Sequence, residues 1–170
     1  MAAPSELQTK RLSLRPVMPE DARAIRTIRS SKAVSQWWGV ECVDSDWPMN
    51  QSETRSFSIW LSENIVGFIQ CYENTDPPYR HAGIDLFLDG SVHGLGLGRE
   101  AITRLVEHLV EDCGHHRIVI DPAAHNTRAI RCYRACGFRE VGVMQMYERD
   151  REGDGWHDGL LMEYVVPANL

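Results

Sequence analysis

A chain of 170 residues, 43% hydrophobic, can bury one full-sized core and asks for no second domain. Its formal net charge of −6 argues against nucleic acid as a partner, because such binders concentrate Lys and Arg against phosphate backbones; a small cationic partner suits it better. No run approaches the roughly 18 apolar residues of a membrane helix, Met1 to Arg11 lacks the apolar stretch of a signal peptide, and five cysteines form no disulfide framework, so a cytoplasmic protein with free thiols and no membrane partner is expected.

Leu12 to Arg15 alternates like a short strand, and Pro16 to Asp21 turns into a helix predicted to reach about Ser31. Trp37-Trp38-Gly39 and the residues through Asn50 have little periodicity and read as a loop or broken helix of the kind that covers a substrate. Phe57, Ile59 and Leu61 alternate with polar residues, Glu63-Asn64 makes a turn, and Ile65 to Tyr72 resumes as a strand, a predicted hairpin. Asn74 to Tyr79 is a proline-bearing loop, and Ala82 to Leu88 is the next strand. Glu100 to Val110 is an amphipathic helix, with Ala101, Ile102, Leu105, Val106 and Leu109 on one face. Arg117 to Ile120 is a buried strand, Asn126 caps a helix to Cys136, and Gly137 ends it in the left-handed region. Val141 to Arg149 and Trp156 to Val165 form a closing hairpin across Glu152-Gly153-Asp154-Gly155. Strands before and after two crossover helices predict a mixed α/β (α+β) sheet in one domain.

His93-Gly94-Leu95-Gly96-Leu97-Gly98-Arg99 stands where the strand ending at Leu88 hands over to a helix N-terminus. Free backbone N–H groups and the helix dipole make such a junction a phosphate site, and missing side chains let the phosphate approach the main chain. Gly96-x-Gly98-x-x-Ala101 with Asp121 further on also fits a dinucleotide fingerprint, whereas the absence of GK[ST] removes the nucleoside triphosphatase loop. The segment Asn126-x-Arg128-Ala129-Ile130-Arg131-Cys132-Tyr133 separates the two readings, because a dinucleotide half has no use for it. Tyr133 lies seven residues after Asn126, on the helix face shared with Ala129.

Together these two motifs resemble those of GCN5-related N-acetyltransferases. Trp37-Trp38-Gly39, Gly83-Ile84-Asp85, the glycine turn, Asp121-Pro122 and Asn126 to Tyr133 resemble the aminoglycoside 6'-N-acetyltransferases within that superfamily. The resemblance implies a sheet with a V-shaped split between its central strands and acetyl-CoA as cosubstrate. It implies that the acetyl-CoA site comprises Leu86, Phe87, Leu88, His93, Gly94, Leu95, Gly96, Leu97, Gly98, Arg99, Asn126, Ala129 and Tyr133. His93 stands where the superfamily usually has Gln or Arg, so the pyrophosphate contacts expected there are to backbone. By the same resemblance Tyr133 protonates the leaving thiolate, Asp85 acts on the acceptor amine as base or orienting group, and Asp121 holds ammonium groups of a polycationic aminoglycoside.

Asp85 also stands out within the apolar strand Ile84-x-Leu86-Phe87-Leu88, which is unfavourable unless its carboxylate meets a polar cleft. Trp38 and Tyr72 are the candidate platform for sugar rings, with Trp37 assigned to the core. Trp156-His157-Asp158 reads as an ordinary hairpin end, since no nucleophile belongs to a matching motif. Cys113 with His115 and His116, or Cys132 with Cys136, read as packing residues, so no metal is expected. The alternatives are acetylation of another amine (a protein N-terminus, a polyamine or a siderophore precursor), a coenzyme-sensing module without turnover, and a dinucleotide oxidoreductase. A monomer and a homodimer are both compatible with the sequence.

Overall fold

The alternating apolar positions of the N-terminal half build an antiparallel meander. The computed structural model describes residues 5–38, 46–49, 52–150 and 155–167. In it β1 (Leu7–Gln8), β2 (Leu12–Pro16), β3 (Thr54–Leu61), β4 (Asn64–Asn74) and β5 (His81–Leu88) pair successively, each antiparallel to the last. β1 is too short to leave a periodic signal. The β3–β4 hairpin turns at Ser62-Glu63, one residue earlier than predicted, with Ser62 at φ 55°. Between β2 and β3 lie α1 (Ala22–Ser30), entered through a single 3-10 turn at Pro19–Asp21, and the one-turn α2 (Lys32–Ser35). Most of the loop expected from Gly39 onward, and Glu152 to Asp154 of the closing turn, lie outside the described residues.

After β5 the chain changes to crossovers. α3 (Leu97–Glu107), extended by a wide π turn at His108–Asp112, leads to β6 (Arg117–Ile120), and α4 (Thr127–Ala135) leads to β7 (Arg139–Arg149) and β8 (Trp156–Val165). The mixed eight-stranded sheet runs β1-β2-β3-β4-β5-β6-β8-β7, with β5 and β6 its parallel pair. α3 starts three residues before the predicted Glu100, because Leu97 is itself a core residue, 2% exposed. Among the described residues no helix is long and apolar enough to cross a membrane. Cys71, Cys113, Cys132 and Cys136 are free thiols.

The sheet has a core on each face. Leu105, Ile102 and Leu109 of the α3 segment pack with Ile130 and Tyr133 of α4 against Ile84, Ile69 and Ile118. On the other face Ile25, Ile28 and Val34 pack with Trp47, Phe68 and Phe87. This division explains Asp85. Strand side chains alternate, so Ile84, Leu86 and Leu88 serve the α3 side while Asp85 follows Phe87 on the α1 side. Phe68 pairs across strands with Phe87, and Gln70 with Asp85, so the aromatic cluster gives way to a polar pair.

β5 and β6 pair only at Ala82–Ile118 and Gly83–Val119. Past those rungs the extension of β6 stays with β8, through an Ala123–Gly159 bridge and Leu160 N–H donating to the Pro122 carbonyl at 2.8 Å. Asp85 to Leu88 belong to β4 alone, leaving one strand edge unpaired towards β6. That divergence opens the split in the sheet.

Candidate active site

A cleft of about 1000 Å3 occupies the split. Its floor is the free edge of β5, where Leu86 and Leu88 turn their carbonyls away from β4: the Trp38 indole donates to Leu86 O at 3.1 Å, and His93 Nε2 lies 2.9 Å from Leu88 O. One end is the glycine turn. Gly94 and Gly96 have φ of 79° and 78°, conformations that tolerate side chains poorly, and a Cβ on Gly94 would meet nothing within 4 Å. Gly96 caps α3 without a side-chain hydrogen bond, so the first N–H groups of that helix are uncapped. Opposite, the Asn126 side chain accepts from Ala129 N at 3.2 Å and fixes the start of α4. An uncapped helix end, open glycines and a free strand edge fit an elongated phosphate ester with amide groups in its arm, which is the form of coenzyme A.

The other end is acidic. Asp85, Asp121, Glu148 and Asp150 all line the cleft. Burial pushes the Asp85 carboxyl up to about 6; the Gln70 amide, donating at 3.2 Å, pulls the other way, and Asp121 and Glu148 add to the rise. Burial also raises Asp121, against a hydrogen bond of 2.5 Å from the Tyr147 hydroxyl. Tyr147 reaches it from β7 because a bulge between Met144 and Glu148, with Met146 at φ 49° and its N–H on Asp158 Oδ1, re-aims the strand. His157 pairs with Asp150 at 2.9 Å and Glu148 at 3.4 Å, ordinary polar contacts at a hairpin end.

Tyr133 stands between the two ends. It is 8% exposed, lines the cleft, and its hydroxyl takes no hydrogen bond among the described residues. Burial, then Cys132 and Asp85, hold it protonated well beyond the usual phenol range.

Trp38, Asp85, Leu86, Phe87, Leu88, His93, Gly94, Gly96, Leu97, Gly98, Arg99, Asp121, Asn126, Ala129 and Tyr133 thus converge on one cavity. Leu95 and Tyr72 do not line it. Leu95 points outward, 56% exposed, and Tyr72 lies beside the cleft with its ring across Gly83, where a Cβ would sit 2.0 Å from the ring. Both tryptophans line the cleft, so Trp37, expected in the core, joins Trp38 there. Trp38 also packs edge-on against Phe87 at 4.9 Å, while the Trp37 ring lies 5.2 Å from His125 with its indole nitrogen unpaired. Gln70, Tyr147, Glu148 and Asp150 also line the cavity without having been singled out in the sequence. Gln70 was legible through its two-residue spacing from Phe68, but the β7 residues arrive through a bulge that no pattern announces.

Residues 17–138 match the family described as Acetyltransferase (GNAT) family. Aminoglycoside N(6')-acetyltransferase type 1 of Klebsiella pneumoniae is 32% identical over 133 residues, 65% of this chain and 65% of that protein, so the match takes in just under two thirds of the relative's length. Spermidine N(1)-acetyltransferase of Vibrio cholerae is 23% identical over 140 residues, 77% of this chain and 80% of that one. Among solved structures, AAC(6')-Ib in complex with paromomycin and acetyl-CoA aligns with a TM-score of 0.74 at 26% identity, over 92% of this chain and 94% of that one.

Proposed function

Since the chain belongs to the acetyltransferase (GNAT) family, we propose that it is an acetyl-CoA-dependent N-acetyltransferase whose acceptor is the 6'-amine of an aminoglycoside. The observation that carries this reading is the two-signed cleft. Four carboxylates line its acceptor end, and burial displaces two of them, Asp85 and Asp121, upward, with neighbouring carboxylates adding to the rise at Asp85. A rigid polycation supplies what they lack: a charge pair at about 4 Å contributes roughly 4 kcal/mol near a protein surface.

Bound acetyl-CoA supplies an acetyl group activated as a thioester. The free edge of β5 and the α3 N-terminus would hold it, with Asn126 and Ala129 along the facing wall. Asp85, ionised above pH about 6, takes the proton that the attacking ammonium must lose, directly or through water. As the C–N bond forms and the C–S bond breaks, Tyr133, a neutral acid at physiological pH, gives its proton to the departing sulfur and regains one from the second N–H that the nitrogen sheds on becoming an amide. Both residues act in one ternary complex, and no covalent acyl-enzyme is required.

A second reading keeps the chemistry and changes the amine. The spermidine acetyltransferase relative matches a larger share of the chain, and an acidic cleft suits a linear polyamine too. Thiol release, followed with a colorimetric reagent while acetyl-CoA is offered with kanamycin, tobramycin, spermidine or a short peptide in turn, separates them. Fast release with the aminoglycosides is expected. Release with spermidine or the peptide alone overturns the acceptor, and silence with all four overturns the acetyl transfer.

A further inference from the structure

One contact joins the glycine turn to α4. Arg128 donates from Nη1 to His93 Nδ1 at 2.6 Å, and His93 Nε2 lies 2.9 Å from the Leu88 carbonyl oxygen. A carbonyl only accepts and a guanidinium only donates, so the imidazole is the neutral tautomer with its hydrogen on Nε2. Both ring nitrogens are committed, and His93 has no N–H left for an anion.

Arg128 is placed differently. It is exposed on the first turn of α4, lines the cleft with Gly94, Gly96 and Gly98, and has no carboxylate partner among the described residues. The guanidinium of Arg11, which also reaches the turn, is neutralised by Glu100 at 2.7 Å and spent on the Leu95 carbonyl at 2.9 Å. Arg128 therefore keeps its full charge while a neutral ring holds it in place. The tether is short, because His93 is itself tied to β5 and directly precedes Gly94. The cation is thus kept at the turn, beside the uncapped N–H groups of α3, and is not free to reach outward.

We propose that Arg128, positioned by His93, is a side-chain ligand of the coenzyme's pyrophosphate, which rests on the reading of this cleft as the coenzyme site. The backbone of the turn would supply directional hydrogen bonds and Arg128 the charge. His93 is a positioning residue: it touches the guanidinium and not the phosphate.

Calorimetric binding of coenzyme A and of dephospho-coenzyme A, which lacks the 3'-phosphate, tests this with four proteins: the natural chain, Arg128→Gln, His93→Leu and His93→Gln. Loss of a charge-assisted phosphate contact predicts that Arg128→Gln weakens both ligands alike, by about tenfold. His93→Leu should weaken both by a smaller factor, about threefold, by freeing the guanidinium. His93→Gln restores affinity, because its amide can donate to Leu88 O and accept from Arg128. Arg128 is exposed, so a melting temperature near that of the natural chain is expected and confirms that the variant is folded. Unchanged affinity in Arg128→Gln overturns the proposal. A loss confined to coenzyme A overturns the pyrophosphate assignment in favour of the 3'-phosphate, and unchanged affinity in His93→Leu removes the positioning role. Failure of the natural chain to bind either ligand sinks the coenzyme reading itself.

Discussion

Glu73 and Asp85 stand on neighbouring strands of one sheet, and their surroundings treat them in opposite ways. Glu73 lies 2.6 Å from Arg55 and 2.6 Å from the buried His115, and these partners hold its carboxyl below the usual range in spite of the burial that opposes them. Asp85 is pushed up instead, by burial first and by the nearby Asp121 and Glu148, with only the neutral Gln70 amide pulling the other way. A half-buried carboxylate given cations is part of the frame. One given none costs some stability as it ionises, which is the signature expected of a site that awaits a cationic ligand.

Substitutions can break that contrast at either end. The largest effect is expected at the proposed proton donor: Tyr133→Phe should lower kcat by about 100-fold, the scale of a lost general acid, while a binding titration should find coenzyme A affinity unchanged. Unaltered turnover would remove the acid role. Asp85→Asn should cost a similar factor in kcat/KM and abolish the acidic limb expected of the natural chain below pH about 6.

The same substitution should raise the melting temperature at pH 8. The folded carboxyl titrates at about 6, above its unfolded value, so the folded state binds the proton more tightly. Stability is therefore lost as pH rises through that interval and regained when the charge is removed, by about 3 °C. Melting at pH 4.5 and pH 8 measures it, and a uniform drop at both would sink the idea of a strained charge.

Glu73→Gln should do the reverse. It leaves Arg55 without its counter-charge and weakens the bond to His115, so unfolding should become easier by about 2 kcal/mol with kcat preserved. Because the Glu73 carboxyl is depressed, its contribution is present at neutral pH and disappears in acid, so natural and variant curves should converge as pH falls. Asp121→Asn is the mildest: on the proposed function it should raise the aminoglycoside KM by about tenfold and leave kcat within a small factor, as expected for loss of one proposed ammonium contact. An unchanged KM would take Asp121 out of the acceptor site.

Much of the frame was legible from residue order alone. The β2, β3, β4, β5 and β6 segments show as alternation or short apolar runs, and Asn126 and Gly137 mark the ends of α4 through local backbone chemistry. The glycine turn was legible for the same reason, because positive φ at Gly94 and Gly96 is a property of those residues themselves. Trp37 and Trp38 show where that legibility stops. Adjacent and chemically identical, both line the cleft but meet different partners, Phe87 for Trp38 and His125 for Trp37, according to the direction in which α2 delivers the chain, which no pattern of two residues encodes.

The sequence by itself determined the mixed sheet, the helix-terminal glycine turn and the presence of Asp85 on the strand face away from α3. These follow from side-chain periodicity and from backbone preferences that act within a few residues. Tertiary structure alone decided what the cleft contains. It carried Tyr147 and Glu148, with Asp150 just beyond, to the cleft from the bulged end of β7, set Arg128 against His93 from 35 residues away, and buried Asp85 beside Gln70 with Asp121 and Glu148 nearby. Charge balance and cavity lining depend on which distant segments meet, and that is fixed only when β5 parts from β6 and β8 keeps the far strands together.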